Sequence, residues 1–328
     1  MDFPSNRRAV LGLLAAAGLA LHHPRGQAAG AWPGKAVRII VPFAPGGGAD
    51  ASARVLAELL GQGLGQAVIV ENKPGAGSAI GVAAAAQSKD GHTLLMASNS
   101  MVINPLLNPQ IGYDPARDFE AVGMVSSQPL VLVVPAGSAA RSMADLVALG
   151  KRRAGPLTAG NSGNGTLAHI ASEIFAGQAG IAVTPVAYKG ESALLPEMIS
   201  GLIDFGFLNL PSVAPHIQSG RLRALAVSSP QPVPELPGVP TVRALGQPAL
   251  EVQGWAALLA PRGSIPAEGL ARLEGLLAQA LASQTVKRRF AATNVAPFVL
   301  DRAATARFLQ DEAARYAAVV KARGIRAE

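Results

Sequence analysis

The stretch Val37–Asp50, VRIIVPFAPGGGAD, constrains the fold of this chain more than any other. Val37, Ile39, Ile40 and Val41 form a short β-branched run, as a strand covered on both faces does. Pro42 and Pro45 end it. Gly46, Gly47 and Gly48 let the backbone turn through positive φ and approach a ligand with no side chain in the way. Asp50 then opens a helical stretch in which Leu56, Leu59 and Leu60 share one face. A helix that starts behind a glycine turn presents free N–H groups and a positive dipole end, which suits a carboxylate or phosphate.

Strand and helix alternate from there. The pattern predicts strands at Val37–Phe43, Ala67–Glu71 and Thr93–Ala97, with helices at Ala51–Gln62 and Ser78–Ala86. This order implies a parallel sheet with helices on both faces, and ligands of such sheets sit at the carboxyl ends of the strands. The polar cluster Ser98, Asn99 and Ser100 falls at one of those ends. A long irregular segment is expected next, followed by an apolar strand at Pro129–Val134. A second βα block then runs from Ser142 to Val227, with Ser142 and Asp145 in capping-box spacing. Ser229–Pro248 holds six prolines and reads as a linker. A strand at Trp255–Leu259 and helices at Ile265–Ala282 and Asp301–Lys321 follow. The first block has too little helix to cover its own sheet, so the tail is expected to pack back on it. The expected architecture is α/β: two doubly wound lobes around a cleft, residues 32–128 with 251–328 forming lobe 1 and residues 129–250 forming lobe 2.

Composition removes several function classes. The chain has 328 residues, 49% hydrophobic and 15% charged, so it is globular. It has no cysteine, which excludes disulfides, thiolate metal sites and cysteine nucleophiles. The formal net charge of +7 is scattered and aromatics are 4%, so nucleic acid is not an expected partner. Five histidines, two of them at His22 and His23, leave little material for a metal site, and no metal or cofactor is expected. Residues 1–31 read as a cleaved export signal. They hold the basic pair Arg7-Arg8, an apolar run Ala9–Leu21 and the A-x-A pattern Ala29-Gly30-Ala31. The arginine pair resembles a twin-arginine signal, and a Sec signal fits as well. A soluble periplasmic product is expected, acting as a monomer.

The second block repeats the device of the first. Leu157–Thr166, LTAGNSGNGT, is again a strand, a small-residue turn and a helix start. Two N–H-rich turns facing each other make a pincer for a small anion. Four or five charge-assisted hydrogen bonds would give roughly micromolar binding, about −8 kcal/mol, after immobilisation is subtracted. Nucleotide motifs do not fit: Pro45–Asp50 lacks G-x-G-x-x-G spacing and no G-K-[ST] follows. Gly160–Asn164 nearly spells the nucleophile elbow G-x-S-x-G, but Asn164 stands in the last place. A secreted serine hydrolase using Ser162 and His169 is the competing reading. His169 is better read as a brace on the turn, and Asp50 as a cap than as a base.

The landmarks Pro42–Gly47 with Asp50, Glu71–Gly77, Tyr113-Asp114-Pro115 with Asp118-Phe119, Gly163–Thr166 with His169, Tyr188-Lys189-Gly190, Gly201 with Asp204, Pro237–Thr241 and Trp255 occur in order across residues 32–328. In these the chain resembles the extracytoplasmic solute receptors of tripartite tricarboxylate transporters, the Bug family. The resemblance implies a periplasmic binding protein-like fold (type II, Venus flytrap) and a non-enzymatic receptor for a small carboxylate. It implies partnership with two integral-membrane subunits, or with a sensor protein. Carried over by position, it implies ligand contacts from Phe43, Ala44, Gly46, Gly47 and Gly48. From the second turn it implies Asn161, Ser162, Gly163, Asn164 and Thr166, and from the next loop Tyr188, Gly190 and Ser192. Ser98, Asn99 and Asn209 join the candidates because they follow strands. Asp50, His169 and Asp204 are expected as structural support. Glu191 departs from the family pattern. A carboxylate at the cleft mouth would repel a dianion unless paired with Lys189 or a ligand ammonium, which favours a monocarboxylate or amino-acid-like ligand.

Overall fold

The computed structural model describes residues 32–325, so the export signal expected at 1–31 lies outside the described residues. The chain opens with β1 (Val37–Val41), α1 (Gly48–Leu64), β2 (Val68–Asn72), α2 (Ala79–Ala86), β3 (Thr93–Ser98) and α3 (Asn99–Leu107). A short α4 (Pro115–Asp118) leads into the long strand β4 (Phe119–Pro135). The next block holds α5 (Met143–Arg152), β5 (Leu157–Asn161), α6 (Leu167–Ala179), β6 (Val183–Ala187) and α7 (Glu191–Ile199). It closes with β7 (Gly206–Asn209), α8 (Leu210–Gln218) and β8 (Leu222–Val227). The tail supplies β9 (Gln253–Pro261), α9 (Ala267–Ala282), α10 (Gln284–Ala291), β10 (Ala296–Pro297) and α11 (Arg302–Arg323).

β4 organises the architecture. Its first part, Phe119 to Pro129, pairs antiparallel with β9 in the sheet β10-β4-β9-β3-β1-β2. Its last part, Leu130 to Pro135, pairs antiparallel with β7 and β8 in a second sheet. One continuous strand thus belongs to both lobes. Parallel β5 and β6 extend the second sheet through bonds between Gly160 N–H and Phe205 O and between Phe205 N–H and Thr158 O. The chain crosses back through the proline-rich segment before β9. Ser228, fully buried, stitches the two crossings together: its Oγ accepts the Leu130 N–H at 2.8 Å and donates to the Val252 carbonyl at 2.5 Å.

Three expectations need correction. Residues 101–128 are mostly regular rather than irregular: α3 follows β3 directly, with Pro105 inside it, β4 begins at Phe119, and only 108–114 between α3 and α4 is irregular. A proline argues against a helix interior, and the polar run Ser126-Ser127-Gln128 masks a strand. The first sheet is parallel only across β1, β2 and β3. β9 enters it antiparallel between β3 and β4, because the chain returns from the second lobe in the opposite direction. A helix at Gln284–Ala291 stands between the two expected tail helices.

The tail does pack on the first block. Leu270, Leu273 and Leu277 of α9 and Phe290 of α10 join Val37, Ile39, Leu56 and Leu60 in one apolar cluster. A second cluster lies under α7 and α8. The third runs from Leu95 and Met101 through Tyr316 to Ile170 and Phe175, so the lobes share apolar core behind the cleft. Each fully buried large side chain contributes roughly 1.5–3 kcal/mol. Asp301 caps α11, its Oδ1 accepting the Ala304 N–H at 2.7 Å. Among the described residues no helix is long and apolar enough to cross a membrane.

Candidate ligand-binding site

A cavity of about 240 Å³ lies between the strand ends of the two sheets. The first turns of five helices line it: α1 at Gly48–Asp50, α3 at Asn99 and Ser100, α6 at Leu167 and Ala168, α7 at Glu191 and Ser192, and α8 at Pro211 and Ser212. The N-cap residues of these five helices, Gly47, Ser98, Thr166, Gly190 and Asn209, also line it, and none caps its own helix with a side-chain hydrogen bond. Their first N–H groups are therefore left for something else to satisfy, Pro211 excepted. Five positive dipole ends around one space make an anion site. Among the described residues, no side chain lining it is Lys, Arg or His.

Each turn is braced from behind. In the first lobe Asp50 is buried and accepts the Gly46 N–H at 3.1 Å, Arg54 Nε at 3.0 Å and Asn72 Nδ2 at 2.9 Å. Asn72 Nδ2 also donates to the Phe43 carbonyl at 3.0 Å. Burial pushes the Asp50 carboxyl up, but these hydrogen bonds and the Arg54 charge outweigh it and hold the group below its ordinary value. Gly46 turns at φ +96°, a conformation that favours glycine. In the second lobe Asn161 Oδ1 accepts the Gly163 N–H at 2.9 Å, and Thr166 Oγ1 donates to the Gly163 carbonyl at 2.7 Å. His169 Nδ1 accepts the Gly165 N–H at 3.3 Å. Asp204 lies farther back, holding Thr158 N–H and Oγ1 and the Arg153 guanidinium at the start of β5.

The structure brings Phe43, Ala44, Gly46, Gly47, Gly48, Ser98, Asn99, Ser162, Thr166, Gly190, Ser192 and Asn209 to the central cavity. It does not bring Asn161, Gly163, Asn164 or Tyr188 there. Gly163, Asn164 and Tyr188 line a neighbouring cavity of about 630 Å³, which shares Phe43, Ala44, Ser162 and Gly190 with the first as a common wall. Asn161 lines neither, because its side chain folds back on its own turn. The Asn99 side chain is a brace. Its Nδ2 lies 3.1 Å from both the Gln253 carbonyl and the Tyr316 hydroxyl and 3.3 Å from Glu312 Oε2, and its Oδ1 accepts the Trp255 N–H at 3.1 Å.

Glu191 is neither at a solvated mouth nor paired with Lys189. It is buried in the first turn of α7, its Oε1 accepting the Asn209 N–H and Nδ2, each at 2.9 Å. The serine hydrolase reading fails on geometry. His169 is buried, lies outside the lining of the cavity, and directs Nδ1 at Gly165, with Nε2 3.9 Å from Glu173 Oε1. The sequence reading missed Gln128, Leu195, Ser212 and Gly254 among the lining residues. Gln128 ends the polar run Ser126-Ser127-Gln128, which hides the strand that carries it, so no sequence signal singled it out.

The fold and this site define a two-lobed binding protein that holds a small solute between its lobes. The family model described as "Tripartite tricarboxylate transporter family receptor" matches residues 52–325. Protein BugT of Bordetella pertussis is 37% identical over 320 residues, 96% of this chain and 97% of the relative. The solved structure of the periplasmic binding protein BugD is 27% identical and covers 90% of this chain and 100% of its own, with TM-score 0.85. R. palustris Rpa4515, solved with adipate, is 31% identical and covers 90% of this chain and 99% of its own, also with TM-score 0.85. The chain belongs to the tripartite tricarboxylate transporter receptor family, and it is a solute-binding receptor of that family.

Proposed function

We propose that this receptor binds a small carboxylate in the central cavity without transforming it, and delivers it in the periplasm to the two membrane subunits of a tripartite transporter or to a sensor protein. The observation that carries the reading is the convergence of five uncapped helix N-termini on a cavity whose lining lacks Lys, Arg and His among the described residues. Backbone N–H groups and dipoles hold an anion without a fixed cation, at roughly 1.5–3 kcal/mol per charge-assisted bond. The adipate bound by Rpa4515 supports a carboxylate as the class. Residues 32–128 and 251–328 form one lobe and 129–250 the other, with β4 and the segment before β9 as the hinge. Residues 1–31 are removed on export through the twin-arginine or the Sec route, and the mature chain is a monomer. The residues named at the central cavity contact the ligand directly, the glycines and Asn99 through their backbone, and Gly163, Asn164 and Tyr188 frame its entrance.

Native mass spectrometry on residues 32–328, before and after unfolding and refolding, tests this. A gently purified sample carries one small acid that refolding removes and that is recovered chemically unchanged after long incubation. A thermal-shift panel of carboxylates then raises stability by about 2.7 kcal/mol at 100 times the dissociation constant. A panel in which no carboxylate shifts the transition, with no adduct in the native sample, overturns the reading.

A further inference from the structure

Two residues of the central cavity have the opposite character to its helix ends. Glu191 is a buried carboxylate, and besides the two Asn209 donors it is hydrogen-bonded by the Ser212 hydroxyl. A carboxylate oxygen held in this way accepts, so it fixes the Asn209 amide with Nδ2 towards Glu191 and Oδ1 away from it. Asn209 Oδ1 then accepts Gln128 Nε2 at 3.3 Å. That bond in turn fixes Gln128, whose Oε1 is buried with no hydrogen-bond partner among the described residues. Hydrogen-bond polarity therefore runs from Glu191 through Asn209 to Gln128 and ends on an unsatisfied acceptor at the cavity wall.

The relay is packed in place. A β-carbon on Gly48 would lie 3.0 Å from Gln128 Nε2, and one on Gly254 would lie 2.9 Å from Asn209 Oδ1. Asp50, the other carboxylate lining the cavity, is already matched by Arg54, Asn72 and Gly46. Glu191 has no such counter-charge among the side chains of the cavity. Burial pushes its carboxyl above the ordinary range, although three donors act against that push.

We propose that the ligand is a zwitterionic amino-carboxylate, with its carboxylate on the helix N-termini and its ammonium between the Glu191 carboxylate and Gln128 Oε1. Glu191 is then a specificity-determining residue. This rests on the carboxylate-receptor reading and narrows it. An ammonium donates to both acceptors and neutralises Glu191 in the same contact. A hydroxy acid would satisfy Gln128 but would leave a buried carboxylate beside the bound one. A plain dicarboxylate would satisfy neither.

The test is isothermal titration of refolded, ligand-free protein with matched acids. The panel is the common α-amino acids, β-alanine and 4-aminobutyrate, each beside its deaminated and its hydroxylated counterpart. At least one amino acid binds tenfold or more tightly than both counterparts. Glu191→Gln brings that ratio to within about threefold of one, while a carboxylate-only counterpart binds the variant as well as or better than it binds the wild type. If the deaminated or hydroxylated acids bind the wild type as tightly as their amino partners, the inference falls and the receptor reading stands. If no acid in the panel or in a wider carboxylate set binds, both fall. The wild-type ratio decides even if Glu191→Gln does not fold, and Gln128→Leu, expected to lower the ratio severalfold, gives a second reading.

Discussion

The two glycine turns that face each other across the cleft perform one task with different supports. The first-lobe turn is braced by an ionic network: Asp50 buried, Arg54 half in solvent, Asn72 tying both to the Phe43 carbonyl. The second-lobe turn is braced mainly by neutral groups, Asn161 and Thr166 on Gly163, with the His169 ring on Gly165. The two also differ in how they meet. The first lobe presents a second loop, Gly75–Ser78, whose four residues all have positive φ, although Ala76 and Ser78 are not glycine. Gly77 of that loop sits so close to the second turn that an added β-carbon would collide with the Asn164 carbonyl oxygen. The ionic brace can be changed by solution conditions, whereas the backbone contact admits no side chain at all.

The largest effect is expected where the lobes touch. Gly77→Ala combines a left-handed φ of +57° with a backbone collision, so it should cost the closed arrangement more than about 3 kcal/mol, a hundredfold or more in ligand affinity. Small-angle scattering with saturating ligand should show a larger radius than the wild type. Compaction equal to the wild type would remove the contact from the closing motion. Next comes the buried carboxylate. Asp50→Ala leaves the Gly46 N–H without its acceptor and takes one of the two acceptors of Asn72 Nδ2, and should lower stability by about 2–3 kcal/mol in denaturant unfolding. Arg54→Ala, which removes only the half-exposed partner, should cost less than about 1 kcal/mol. Equal losses from the two would mean that the ion pair, and not the hydrogen bonds of Asp50, holds the turn. On the neutral side, Asn161→Ala removes one buried bond and should cost about 1–2 kcal/mol, with little dependence on salt.

The smallest effect separates the braces by pH. Asp50 is held below its ordinary value of 3.8 in the folded chain. Its contribution is therefore fully present above that value and is lost as pH falls through the folded one. In NMR spectra recorded from pH 6 downwards, the Gly46 amide should begin to move only below pH 3.8, while the Gly163 amide stays in place. Movement of both together would mean that the turns are coupled rather than separately supported.

Much of this was legible in the residues. The β-branched run before Pro42 is the buried strand it reads as, while of the three glycines behind it only Gly46 turns through positive φ, Gly47 standing at the N-cap of α1 and Gly48 inside it. The capping pattern at Ser142 is met, its Oγ accepting the Asp145 N–H at 3.1 Å. The small-residue turn at 160–165 repeats the first device closely enough to be found unaided. Other parts were illegible for identifiable reasons. The α3 helix hid behind Pro105, because local propensity penalises a proline that the surrounding packing tolerates. Glu191 gave its charge to the sequence but not its surroundings, so burial and the Asn209 donors could not be inferred. Asn99 follows a strand as a ligand-contacting residue would, yet Tyr316 and Glu312, more than two hundred positions away, take its side chain.

By itself, then, the sequence determined the alternation of strands and helices, the two turns that only glycine permits, and the absence of a cysteine site. These depend on φ, periodicity and residue type, which are properties of neighbours along the chain. Tertiary structure alone decided that five helix ends meet at one cavity, that β4 serves both sheets, and that Gln128 ends with an acceptor and nothing to accept from. Those facts depend on which distant groups come within hydrogen-bond reach after the chain has crossed twice between its lobes, and no local pattern encodes that.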